Sequence, residues 1–77
     1  MGLLSKEQNS ALEKAGVRKD QVKIVVHNLE EFIKVRKVGK EVVGIVVHNL
    51  VNDEAYKAKF FANPKEAIME ANPQPSP

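Results

Sequence analysis

One stretch of thirteen residues occurs twice in the chain. VRKDQVKIVVHNL, running from Val17 to Leu29, returns 21 residues later as VGKEVVGIVVHNL, from Val38 to Leu50, identical at nine of the thirteen positions and with Asp20 replaced by Glu41. Any fold must therefore hold the same unit twice. In 77 residues this leaves room for a single small domain, placed at residues 1–72, with repeat copies at 17–29 and 38–50. A core of this size supplies only about 3 to 5 kcal/mol, so a second chain or a partner is a natural source of further stability.

Both copies are rich in β-branched residues, which pack well on a pleated surface, so Val22 to His27 and Val42 to His48 read as strands. A helical reading also accounts for Val22, Val26, Leu29 and Ile33. Between the copies, Ile33 and Val35 alternate with Lys34 and Arg36, the pattern of a half-buried strand. With turns at Asn28 to Glu31 and Gly39 to Glu41, the sequence predicts a three-stranded antiparallel meander whose outer strands are the two copies. One face then carries Val22, Ile24 and Val26 together with Val43, Ile45 and Val47. Ile24, Val26, Ile45 and Val47 belong to outer strands whose unpaired backbone could pair with another chain.

The flanks read as helices. Ser5 and Gln8 have the spacing of a reciprocal cap, and Gly16 stops the segment that follows, whose apolar face of Leu4, Ala11, Leu12 and Ala15 is thin. From Asn52 the pattern is that of a helix pair: Asn52, Asp53 and Glu54 suit a helix start, and Asn63 with Pro64 and Glu66 restarts the helix. The fold class expected is α+β: the meander, an N-terminal helix and a C-terminal helix pair. Residues 73–77, with three prolines, read as a disordered tail.

Composition narrows the chemistry. The chain has no cysteine, hence no disulfide framework, thiolate nucleophile or cysteine metal site. A net charge of +2 is too small for a surface built to bind nucleic acid. The one basic cluster, Lys34, Arg36, Lys37 and Lys40, reads as a solvated face. His27 and His48 occupy matched positions, but their strands would stand about 10 Å apart, two strand spacings, with no third ligand at hand. Ser5, Ser10 and Ser76 lie in the terminal regions, away from any base. No enzymatic activity, metal or cofactor is expected. No segment resembles a secretory signal or reaches the length of a membrane span, so the chain reads as cytoplasmic.

The segment from Asp53 to Ala71, DEAYKAKFFANPKEAIMEA, resembles the nitrile hydratase-like leader peptides of ribosomally synthesised, post-translationally modified peptide (RiPP) precursors. The resemblance rests on an acidic start at Asp53, an aromatic residue at Tyr56, a large apolar residue at Phe60 or Phe61, then Asn63-Pro64, the charged pair Lys65 and Glu66, and Ala67. It covers about a quarter of the chain. It implies a segment bound by maturation enzymes and a processing transporter while a separate core peptide is modified. The final residues, with Ser76 as their one hydroxyl, make a poor core, so if the segment is a leader its core is missing, removed or encoded elsewhere. The cysteine cluster of nitrile hydratase itself is absent, and hydratase activity is not implied.

The function expected is a non-catalytic recognition module bound by a protein partner. Asp53, Tyr56, Phe60, Phe61, Pro64, Ala67 and Ile68 form its partner-binding set, with Tyr56, Phe60 and Ile68 as apolar anchors. Phe60 and Phe61 point about 100° apart on a helix, so one of the aromatics is left over from the core as a recognition anchor. The alternative is a small structural or regulatory protein that homodimerises through its duplicated strands.

Overall fold

The computed structural model of the chain describes residues 3–72. Among these residues there are five α-helices and no strand: α1 (Lys6–Lys14), α2 (Lys19–Arg36), α3 (Glu41–Asn52), α4 (Glu54–Ala62) and α5 (Pro64–Ala71). The expected α+β meander is thus overturned, and with it the strand edges at Ile24, Val26, Ile45 and Val47, all of which lie within helices. The expected tail at 73–77 lies outside the described residues.

The physical reason is legible in which residues are buried. In α3, Val42, Val43, Val46, Val47 and Leu50 are all buried. Adjacent residues of a strand point to opposite faces, so one face could not bury both members of the pairs Val42-Val43 and Val46-Val47. On a helix these positions form two neighbouring rows on one side. In α2 the buried or half-buried apolar residues are Val22, Val25, Val26, Leu29, Phe32 and Ile33, a stripe with the helical period. The preference of β-branched residues for strands amounts to tenths of a kcal/mol per residue, and burial of a whole stripe outweighs it. Asn28 to Glu31, expected as a turn, is simply the middle of α2.

The duplication therefore encodes a helix face. Val25 and Val46 are equivalent in the two copies and both fully buried, as are Leu29 and Leu50. His27 and His48 both face solvent. The helices that carry the copies, α2 and α3, each pack on α1 and on α5, and α3 also packs on α4. α3 is the central helix. Its sole charged side chain, Glu41, sits in the first turn, where it suits the positive end of the helix dipole.

Local hydrogen bonds fix the ends of these helices. The Ser5 hydroxyl accepts from the Gln8 N–H at 3.1 Å, and the Ser5 N–H donates to the Gln8 side chain at 2.9 Å. After α1 the chain turns through Gly16 at φ 92, a conformation that glycine adopts without steric cost. The thin apolar face of this first segment is nonetheless packed. Leu4 and Leu12 are buried, and the Lys57 ammonium of α4 donates to the Ala15 carbonyl at 2.9 Å, satisfying the end of α1 from across the core. α2 ends at Lys37 in the left-handed region, φ 55.

The described residues form a slab of 36 × 28 × 17 Å. Its thin dimension is less than two helix diameters of about 10–12 Å, so its helices cannot all be covered on every side. Gly44 illustrates the exposed surface. It lies inside α3, and a Cβ added there would meet nothing within 4 Å. Gly44→Ala is expected to raise stability by about 0.5 to 1 kcal/mol by restricting the unfolded chain and favouring the helix. A chemical denaturation curve reads this as a higher midpoint, and a lower one would contradict an exposed helical position.

Candidate functional site

The segment that resembles a leader forms α4 and α5, and its motif residues are those that shape the turn between them. Asp53 ends α3 and caps α4, its carboxylate accepting the Tyr56 N–H at 3.1 Å. Asn52, expected to contribute to this cap, closes α3 instead, donating its amide to the His48 carbonyl at 2.9 Å. Pro64 takes the first position of α5, where its missing N–H leaves no intrahelical bond unmade. The Asn63 side chain does not accept the expected capping bond; its amide donates to Glu66 at 3.3 Å. Across the turn, the Tyr56 hydroxyl donates to the Ala67 carbonyl at 2.6 Å, and Lys59 pairs with Glu70.

The expected anchors divide into two groups. Tyr56, Phe60, Ala67 and Ile68 are buried, the last three fully, and form part of the core. Phe61 and Pro64 are half-buried, and Asp53 is exposed. The aromatic left over from the core is therefore Phe61, its ring packed edge-on against Phe60 at 5.4 Å between centroids.

Burial pushes the Tyr56 hydroxyl up from 10.0 to about 12, with a hydrogen bond from the Asn49 side chain pulling the other way. The fold thus favours the neutral phenol. The stability this contributes is complete below pH 10, the value of the unfolded chain, and is lost as the pH rises through about 12. Tyr56 is the one tyrosine of the chain. Its phenolate absorbance is expected to appear at higher pH in the native than in the denatured protein, and coincident titrations would contradict its burial.

A second feature escaped the sequence. Between the C-terminal half of α2 and α5 runs an open cleft of ≈ 180 Å³ lined by Asn28, Glu31, Phe32, Val35 and Arg36 of α2 and by Lys65, Ile68 and Met69 of α5. Val35 is 70% exposed and Met69 50% exposed. The Arg36 guanidinium lies over the Phe32 ring at 5.8 Å and donates to the Met69 sulfur at 3.8 Å. The signal for this cleft is the spacing of Ile24, Asn28, Glu31 and Val35, one row along a helix. It becomes visible only once α2 is taken as helical.

The two histidines stay apart from this cleft's floor. His27 lies 3.8 Å from Glu31 one turn on, and His48 contacts Asn52 at 3.3 Å. Among the described residues, no group of three or more His, Asp or Glu is placed to hold a metal ion, and no helix is long and apolar enough to cross a membrane. Comparison with protein-family models, with curated proteins and with solved structures found no match to this chain.

Proposed function

We propose that this chain is a non-catalytic recognition module, the leader-like part of a modified-peptide precursor, read in the cytoplasm by maturation enzymes. What supports the reading is the way residues 53–71 close on themselves. The cap at Asp53, the Asn63-Pro64 restart and the hydrogen bond from Tyr56 to Ala67 make one preformed helix pair. A preformed element loses little conformational freedom on binding, which favours its use as a recognition signal. The residues such a signal would offer are Phe61, Lys65 and Met69, since Tyr56, Phe60 and Ile68 are committed to the core.

Affinity capture of the tagged protein from an extract of its own cells, followed by mass spectrometry, tests this. Recovery of a peptide-modifying enzyme or processing transporter, reduced by Phe61→Ala in a chain whose circular dichroism is unchanged, is the expected result. Recovery of the protein itself alone would contradict it. That second outcome is the self-associating alternative, now without strands; the exposure of Ile24 at 44% and Val35 at 70% on one row of α2 is what favours it. Light scattering across a concentration series separates the two.

A further inference from the structure

We infer that the cleft between α2 and α5 is a docking site for an acidic, amphipathic segment of a partner protein, which places a large apolar side chain between Val35 and Met69 and a carboxylate on Arg36 and Lys65. That the partner is a protein rests on the reading above; the chemistry of the cleft does not.

The apolar half of this chemistry comes from the floor and walls. Phe32 and Ile68 form a floor that is nearly or fully buried, while Val35 and Met69 stand exposed on either side. Large apolar groups left in water on both walls of a concave site mark a place where another apolar group gains by burial. Met69 adds adaptability, because an unbranched thioether side chain reshapes around different occupants.

The charged half comes from what Arg36 and Lys65 lack. Ion pairs among the described residues join Arg18 to Asp20, His27 to Glu31 and Lys59 to Glu70, and none includes Arg36 or Lys65. The one side-chain hydrogen bond of Arg36 goes to the Met69 sulfur, a weak acceptor, although a guanidinium has five N–H donors in a planar fork suited to a carboxylate. Stacking over Phe32 holds that fork at the edge of the cleft. Ordering a side chain in advance lowers the entropy lost when a ligand arrives.

Glu31 also lines the cleft and repels a carboxylate. Residues 31 and 36 lie roughly 140° apart around the helix, so the acid and the guanidinium occupy opposite edges of the α2 surface. The Glu31 carboxylate is directed toward His27. The charge presented beside α5, by Arg36 and Lys65, is positive, and it selects an acidic ligand over a basic one.

The test uses a phage-displayed library of short random peptides panned on the full chain. Peptides that pair a large apolar residue with a nearby Asp or Glu are expected to be enriched. They should bind about tenfold more weakly to Arg36→Gln, the loss of one charge-assisted contact, and more weakly to Val35→Asp. Both positions are exposed, so both variants keep the fold, as their circular dichroism will verify. In an ¹⁵N-labelled sample, the selected peptides should shift amide signals over residues 28–36 and 65–69. Enrichment of basic peptides, absence of enrichment, or binding indifferent to both substitutions would overturn the proposal. So would a dimer whose interface covers Val35 and Met69. A maturation enzyme that binds Arg36→Gln and Val35→Asp as well as wild type leaves the leader reading standing and removes the cleft. Acidic peptides seated in the cleft, with no maturation enzyme captured, do the reverse.

Discussion

Phe60→Ala is expected to leave the chain largely unfolded at 25 °C. Phe60 is fully buried, and its ring touches Phe61 on one side and approaches Tyr56 on the other, with centroids at 5.4 and 6.4 Å. Removing it forfeits the transfer free energy of an aromatic ring and leaves a cavity, together about 3–5 kcal/mol. A core of this size supplies about as much in total. Circular dichroism should show lost helix, and urea should produce no cooperative transition. Phe61→Ala is the control. Its ring is only half-buried, so the variant should stay folded and show its defect in partner binding. A folded Phe60→Ala protein that had lost only partner binding would return Phe60 to the role of anchor and contradict the placement of the core.

Glu30→Pro is expected to cost about 3 kcal/mol or more. Residue 30 lies in the interior of the 18-residue α2 with its side chain exposed, so the substitution removes no packing. What it removes is the backbone N–H bond to the carbonyl four residues back, and the proline ring strikes that same carbonyl. Glu30→Ala retains the N–H and should fall within about 0.5 kcal/mol of wild type. Urea denaturation of the two variants side by side reads the difference. Had Asn28 to Glu31 been the turn of a meander, proline at position 30 would be readily accommodated. A Glu30→Pro midpoint equal to that of Glu30→Ala would therefore contradict α2.

Most features decided by local hydrogen bonds and backbone geometry were open to reading from the sequence, the side-chain caps expected of Asn52 and Asn63 excepted. The reciprocal cap of Ser5 and Gln8, the stop at Gly16, the cap at Asp53 and the helix start at Pro64 all lie within three or four residues of their partners. The repeat copies misled because two signals in them conflict. Val22 to Val26 and Val42 to Val47 carry strong strand propensity, whereas the helical spacing of Val22, Val26, Leu29 and Ile33 carries the fold. Propensity is the smaller term, and the doublets Val42-Val43 and Val46-Val47 gave the means to see it, since a one-faced strand buries one member of each.

The candidate site was legible in part for the same reason. Phe61 as the leftover aromatic follows from the 100° step between neighbours on a helix, although the sequence could not say which of Tyr56, Phe60 and Phe61 it would be. The cleft lay out of reach. It needs Val35 and Arg36 from α2 beside Lys65 and Met69 from α5, about thirty residues further along the chain, whereas the alternation of Ile33 and Val35 with charged residues predicts a strand there.

The cleft and the helix pair beside it exist only if both copies of the duplicated segment are helices. Backbone chemical-shift assignment of the ¹³C,¹⁵N-labelled protein measures this directly, residue by residue. Unbroken helical Cα shifts from residue 19 to 36 and from 41 to 52 are the predicted result. Strand-like shifts at residues 22–27 and 42–48, separated by a turn at 28–31, would contradict the fold and remove the docking site with it.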